Sequence, residues 1–522
     1  MQKALLLSTL ITLLSFVNGN SQTTQDSVDT EINEDDGSIE ELKGQVLDVD
    51  AQTPLLYANI FVLHKHRGAI SNETGHFSIN ISGLDKTDTL RFQYIGYKTR
   101  NLTIGQLDSS SVVYLKEEIF NLDEILVFGN TPDAKSIVKK VLQNKDSNYR
   151  KTTCKNQVFI RERDITDFDE INFNLKKSSI SQLDKEMIEF VEASIPEQFL
   201  SYTDFLGNIY ISAKPDDSIK LKTDPIRTVS LKERDYTDLE EIGKVFEDVF
   251  TDVGEEEYWK VKSGIFGKKI DDENEDQKND SIQENEEPKK DTLNDNERWI
   301  KYFSRRLNYR LKYTLMDDKD EWEFLHKTGK YNYTLVGGTR VNGEDVYIID
   351  FTPKSGGRYV GRVYISIQTY ALVRADYEYG EEKTGRDIQL FGIGYTENHF
   401  SGSIYFEKKE DNYILKYFSK KTGFHASFDR NVALIKKKKR FLFDKKLNEI
   451  KVGIDMAMNI EESVEYLILD GQEIPHKQFA GFEQKEKMEI IFVKQFDDNL
   501  WKGFSIIEPT KQMRDYKKQE EE

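Results

Sequence analysis

From Gly44 to Tyr97 the chain repeats one pattern: short runs whose apolar side chains fall on alternate positions, separated by turn residues. Val46, Ile60, Val62, Phe77, Ile79, Ile81, Leu90, Phe92 and Tyr94 occupy the apolar phase of these runs. Successive side chains of a strand point to opposite faces, so a period of two buries one face and wets the other. Thr74-Gly75 is a turn signal between Ile70 and Phe77. Gly96, between Ile95 and Tyr97, marks a bulge or a close backbone approach. Several short strands at this spacing predict an all-β sandwich over residues 43–129.

Four segments in order, Gly44-Gln45-Val46-Leu47-Asp48, Pro54-Leu55-Leu56-Tyr57-Ala58-Asn59-Ile60, Thr74-Gly75-His76-Phe77-Ser78-Ile79 and Phe92-Gln93-Tyr94-Ile95-Gly96-Tyr97-Lys98, resemble the carboxypeptidase-regulatory-like domain. That domain is a transthyretin-like β-sandwich of exported bacterial proteins. The resemblance implies an extracytoplasmic address and a module that binds or scaffolds without being catalytic. Asn121-Leu122-Asp123-Glu124-Ile125-Leu126-Val127-Phe128-Gly129 is similar to the segment that follows this domain in TonB-dependent receptors, where such a run contacts TonB. The run from Asp133 to Lys140 looks like the start of the second region in a family of uncharacterised outer-membrane proteins, some of which continue into a β-barrel. Here the chain closes on Lys517-Lys518-Gln519-Glu520-Glu521-Glu522 instead of an aromatic strand, so a barrel is not expected.

The 522 residues allow two to four domains. A net charge of −19 excludes general nucleic-acid binding, which needs a basic face. Residues 1–21 read as a signal peptide: Lys3 supplies the positive start, Ala4 to Val17 the apolar stretch, and Gly19 and Ser21 the small residues before a cut. No Cys follows, so no lipoprotein anchor is expected at this point. Cys154 is the single cysteine, which leaves no internal disulfide and reads as a small buried or strand-end residue.

The rest divides by composition. Residues 22–42 form an acidic linker expected to be disordered, and 130–267 a mixed α/β region. In that region Thr131-Pro132-Asp133 opens a helix lined by Ala134, Ile137, Val138, Val141 and Leu142. A second helix is expected over 235–252, with Leu239, Ile242, Phe246, Val249 and Phe250 on one face. Residues 268–297 hold twelve acidic residues and five lysines and read as a disordered insertion. Residues 298–510 are expected to open with a helix from Trp299 to Leu315 and continue as a large antiparallel meander, with 511–522 a charged tail. The Asn342-Gly343 turn before Val346-Tyr347-Ile348-Ile349-Asp350-Phe351 is the clearest hairpin signal. The predicted fold class is mainly β with minor α: a seven-stranded-type sandwich followed by the meander and a few helices. Gly343 to Pro353, Val363-Tyr364-Ile365-Ser366 and Leu372-Val373-Arg374 also look like the lipoprotein-carrier fold, whose curved sheet cups acyl chains. That resemblance implies an apolar cavity lined by the inward-facing set, such as Tyr347, Ile349 and Tyr364 or their alternates.

Candidate chemistry is sparse. His64-Lys65-His66 reads as two imidazoles on one strand face with His76 a hairpin away, but no third ligand is in place and no metal site is assigned. No zinc-protease pairing, nucleophile elbow or phosphate-binding glycine loop occurs, so no catalytic residue and no cofactor is assigned, and the chain is not expected to be an enzyme. Lys436-Lys437-Lys438-Lys439-Arg440, followed by Phe441-Leu442-Phe443, reads as a lysine-protected hairpin or as a contact for anionic headgroups. Triplets at Asp26-Ser27-Val28, Asp88-Thr89-Leu90, Asp217-Ser218-Ile219, Asp280-Ser281-Ile282 and Asp291-Thr292-Leu293 match an O-glycosylation pattern of some Gram-negative bacteria. The expected role is that of an exported, non-catalytic envelope protein binding an envelope partner or an apolar or lipid ligand, with a peripheral outer-membrane contact. A periplasmic lipid or lipoprotein carrier and a TonB-linked component are the alternatives.

Overall fold

The computed structural model describes residues 41–65, 67–108, 111–119, 133–213, 219–232, 249, 253–254, 256–264, 266–270, 295–341 and 343–516. The signal-peptide and TonB-like readings lie outside these residues, as do the helix over 235–252 apart from the helical Val249, the linker up to residue 40 and the insertion from 271 to 294. The ends of the last two readings are corrected, since Glu41 and Leu42 open the first strand of the sandwich, 268–270 are strand and 295–297 are helix.

The sandwich is present with seven strands: β1 (Glu41–Asp48), β2 (Asn59–Val62), β3 (Gly68–Ile70), β4 (His76–Asn80), β5 (Thr89–Gln93), β6 (Arg100–Thr103) and β7 (Ser111–Leu115). One sheet runs β4-β1-β7 and the other β3-β2-β5-β6, with β1 and β7 parallel. Strand β1 alternates strictly between half-buried and buried positions, as the period of two demands. Val46, Phe77 and Val113 from one sheet meet Ile60, Leu90 and Phe92 from the other, and Phe77 and Phe92 pack edge to face at 5.5 Å. Gly44 permits this closeness, since a Cβ there would lie 2.8 Å from the Phe77 ring and 2.6 Å from the Ser111 carbonyl oxygen.

The described strands after the sandwich build one large sheet of 14 strands. The chain supplies β8 (Cys154–Ser178), β9 (Gln198–Ala213), β10 (Ile219–Lys232), β11 (Glu257–Ser263) and β12 (Phe266–Ile270) before residue 271. After residue 294 it adds β13 (Tyr331–Val341), β14 (Glu344–Pro353), β15 (Tyr359–Ser366), β16 (Leu372–Tyr379), β17 (Asp387–Leu390), β18 (Ile393–Lys409), β19 (Asn412–Lys438), β20 (Lys445–Glu473) and β21 (Ile491–Val493). The main order is β13-β14-β15-β16-β18-β19-β20-β8-β9-β10-β21, antiparallel except for β10 with β21. The expected meander is therefore observed, and it extends through residues 152–232, which read in the sequence as short separate pieces. Bulges explain the difference: the β20–β8 register slips at Lys451/Val452, Ala457/Met458 and Ile468/Asp470. Each slip moves the apolar phase by one position and breaks one long strand into apparent fragments.

Seven helices flank the sheets among the described residues: α1 (Ala134–Gln143), α2 (Lys145–Asn148), α3 (Lys185–Ser194), α4 (Asp295–Tyr313), α5 (Glu323–His326), α6 (His476–Gly481) and α7 (Lys511–Asp515). The face of α1 is the expected one, but its cap is Asp133, whose carboxylate accepts from the Ser136 amide at 2.9 Å; Thr131 and Pro132 lie outside the described residues. The segment read as a charged tail opens with α7, where Met513 and the following Tyr516 are buried. Among the described residues no helix is long and apolar enough to cross a membrane.

Candidate functional site

The sandwich is fastened to the large sheet by buried chemistry. Arg374 of β16, 5% exposed, donates to the Tyr94 hydroxyl at 3.0 Å and lies 4.5 Å over the Tyr94 ring. The same guanidinium grips Asp376 at 2.6 and 3.0 Å, and Ser403 donates to that carboxylate. Tyr364 of β15 brings its hydroxyl end up to Gly96, which has a φ of +88° and where a Cβ would lie 3.6 Å from that hydroxyl. Thr339 donates to the Glu118 carbonyl at 2.8 Å, Asn72 donates to the Glu508 carbonyl at 3.0 Å, and Tyr57 packs on Tyr417 with centroids 4.5 Å apart. Ile70 and Ile95 belong to the core of the large sheet and not to that of the sandwich.

These contacts divide the residues expected to line a cup. Tyr347 and Ile349 share one face of β14 with Phe351, which stacks on Phe324 of α5 at 4.3 Å. That face is covered by α1 and α5 and filled by Trp322, Phe324, Tyr359 and Tyr377. Tyr364 pairs with Ile348 and so projects from the opposite face, toward the sandwich. The three residues are all buried but do not line one surface, because strand register sets the face and the sequence does not print the register. The cleft at the junction, about 490 Å³, is polar, lined by Arg91, Gln93, Lys98, Glu118 and Arg340.

A different apolar surface lies on the outer half of the long strands. Phe424 pairs with Ile460, Ala426 with Met458 and Phe428 with Met456 across β19–β20. Met456 then pairs with Ile171 and Ile454 with Phe173 across β20–β8, while Tyr395 and Ile393 of β18 extend the stripe on the other side. Phe424, Phe428, Ile454, Ile460, Ile171 and Phe173 are only half-buried. The opposite face of this region is polar, with His425, Asn459 and Asp169 joined by hydrogen bonds of 3.1 and 2.7 Å. Composition had no means of exposing this stripe, since its members come from three successive strands and from β8, more than 200 residues earlier, brought together by register.

The other candidates sit as follows. His64 is exposed in the turn after β2 with φ of +63°, not on a strand face, because β2 ends at Val62; His66 lies outside the described residues. His76 shares a hydrogen bond of 3.0 Å with Thr74, and no cluster able to hold a metal occurs among the described residues. Burial pushes the Cys154 thiol up to about 11, so it is protonated at neutral pH. Lys436 is buried and paired with Glu257 at 3.2 Å, whereas Phe441, Leu442 and Phe443 stand exposed. Thr89 of the Asp88-Thr89-Leu90 triplet is half-buried within β5; of the remaining triplets only Ile219 is described.

Glu465 carries the most useful titration. Burial pushes its carboxyl up to about 7 from an ordinary 4.5, opposed by Arg161 and reinforced by Glu73 and Asp204. Between these two values the folded chain holds a proton that the unfolded chain has released, so stability falls as pH rises through this window. Glu465→Gln is expected to match the parent chain near the bottom of the window and to exceed it by about 1–3 kcal/mol above the top. Urea unfolding at the two ends of the window checks this, and an equal pH slope in both chains would remove Glu465 as the cause.

Residues 42–127 match the CarboxypepD_reg-like domain family, so the N-terminal module is a carboxypeptidase-regulatory-like domain. No curated protein matches the chain. Among solved structures, the MucA/MucB complex of Pseudomonas aeruginosa is 10% identical, with 63% of this chain and 93% of that one covered and a TM-score of 0.18. An outer membrane lipoprotein-sorting protein domain from Vibrio parahaemolyticus is 10% identical over 66% and 97% of the two chains, with a TM-score of 0.18. A LolA superfamily protein from Nitrosomonas europaea is 10% identical over 67% and 98%, with a TM-score of 0.14. Scores this low carry no argument about the fold or role of this chain.

Proposed function

We propose that this chain is an exported, non-catalytic cell-envelope protein in which the carboxypeptidase-regulatory-like sandwich stabilises the large sheet and that sheet binds a partner or an apolar ligand. The observation that carries the reading is the division of surfaces. The sandwich spends Tyr94, Gly96 and Asn72 on contacts within its own chain. The half-buried stripe around Phe424, Phe428 and Ile460 is left as the broad apolar surface of the sheet. Export is supported by the signal-like pattern of residues 1–21 and by the kind of protein on which this domain family occurs.

The carrier alternative loses the face it was expected to use, because α1, α5 and a dense aromatic cluster occupy the side of Tyr347 and Ile349. A lipid-binding role would have to use the outer stripe. Recovery of the full chain from envelope fractions, with mass spectrometry of copurifying proteins and lipids, tests the proposal. A defined set of species is expected with the parent chain and should be depleted about tenfold or more in Phe428→Asp, which puts a charge on the stripe. Equal recovery from both chains would overturn the stripe as the binding surface.

A further inference from the structure

Strands β19 and β20 form a hairpin whose paired region runs from Tyr417 with Leu467 to Lys438 with Lys445. At roughly 3.3 Å per residue this ladder is on the order of 70 Å long, so its tip lies far from the sandwich junction. The loop from Lys439 to Asp444 closes it. In that loop Phe441 is 101% exposed, Leu442 77% and Phe443 86%. Loop tips ordinarily carry polar residues, because three adjacent apolar side chains in water lose the benefit of burial and invite association.

The surroundings of these three side chains are basic. Between residues 436 and 446 the chain holds Lys436, Lys437, Lys438, Lys439, Arg440, Lys445 and Lys446 against Asp444 alone, in a protein whose net charge is −19. Lys436 is paired with Glu257 and Lys446 with Glu449 at 2.8 Å, and Asp444 accepts from the Tyr258 hydroxyl. Lys437, Lys438, Lys439 and Arg440 make no salt bridge to a described residue. The positive collar is therefore available to an outside anion.

The tip is also supported. Strand β11 flanks β19, pairing Glu257 with Lys438, and the Lys439 amide donates to the Glu256 carbonyl at 2.8 Å. Beneath it Trp259, Ile450, Ile180, Leu183 and Ile188 form a small separate core. The three apolar side chains are thus held out on a packed base instead of hanging from a frayed end.

We propose that the β19–β20 tip is a membrane-docking finger: Phe441, Leu442 and Phe443 enter the acyl boundary of an anionic phospholipid bilayer while the lysine and arginine collar meets its headgroups. Shape and charge select this occupant. A narrow convex tip offers no groove for a peptide, and an apolar end ringed by lysines matches the layered polarity of a lipid surface. The inference goes beyond partner binding by the stripe, since it concerns other residues and a lipid surface in place of a specific ligand.

The test is co-sedimentation of the full chain with unilamellar vesicles of phosphatidylcholine alone or with roughly one-third phosphatidylglycerol. The expected result is binding that needs the anionic lipid and weakens about tenfold or more when salt screens the headgroups. The triple variant Phe441→Ser, Leu442→Ser, Phe443→Ser should bind about a hundredfold more weakly, ~2.7 kcal/mol, with an unchanged thermal midpoint because these side chains touch little of the fold. As a second readout, Leu442→Trp should shift its emission to the blue on adding anionic vesicles and be quenched by brominated acyl chains. Failure of the parent chain to sediment, equal binding by the triple variant, or an unshifted tryptophan would each overturn the finger. So would capture of the tip by a protein with no affinity for vesicles.

Discussion

Arg161→Met is expected to destabilise the chain by about 3–5 kcal/mol, because it strands a carboxylate in the middle of the large sheet. Arg161 is 5% exposed and Asp204 fully buried, and the guanidinium donates to the two carboxylate oxygens at 2.8 and 2.7 Å. Its third contact goes to the Ile507 carbonyl at 2.9 Å, which ties the C-terminal segment onto β8 and β9. Burial alone would pull the guanidinium pKa down, but the charge of Asp204 and its hydrogen bonds outweigh this and the net shift is upward. Removing the arginine leaves Asp204 either charged and unpaired or protonated at a cost, and frees Ile507 and its neighbours from the sheet. The double variant Arg161→Met, Asp204→Leu should recover most of the loss, since two apolar groups of similar volume tolerate this site better than one unpaired charge. Chemical denaturation of the three chains checks the prediction. A double variant no better than the single one would mean that the Ile507 contact, and not the stranded charge, sets the cost.

The same pair shows where sequence reading stops. The sandwich was legible because its strands are short and keep their phase: Val46, Ile60, Phe77 and Phe92 alternate without interruption and all lie in its core. The antiparallel meander between Val346 and Tyr377 was legible for another reason: its strands are contiguous apolar runs set off by turn signals such as Asn342-Gly343, and both of their faces are buried. The long strands were not, since a bulge at Ala457/Met458 or Ile468/Asp470 inverts the pattern halfway along one element. Arg161, Asp204 and Arg374 read as ordinary charges, and nothing local marks them as buried. Their burial depends on partners tens to hundreds of residues away, such as Ile507 for Arg161 and Tyr94 for Arg374. The candidate surfaces divide likewise. The hairpin tip was visible as a lysine run before Phe441-Leu442-Phe443, because it is contiguous. The outer stripe and the face of Tyr364 were invisible, because strand register assembles them.

The junction between sandwich and sheet is open to a direct measurement of coupling. Arg374→Met should cost about 2–4 kcal/mol, having removed a buried guanidinium from Asp376, from the Tyr94 hydroxyl and from the Tyr94 ring. Tyr94→Leu should cost about 1–3 kcal/mol, by loss of the stacked ring and of one acceptor for that guanidinium. If the sandwich is a docked part of one cooperative structure, the two losses overlap, and the double variant should fall short of their sum by about 1–2 kcal/mol. If the sandwich were a module merely tethered in sequence, a change at Tyr94 would register in its own unfolding and the two costs would add. The Thr339, Asn72 and Tyr57 contacts argue for overlap, since together with Arg374–Tyr94 they place four attachments around one interface. Additivity within a few tenths of a kcal/mol would remove the sandwich from its proposed stabilising role.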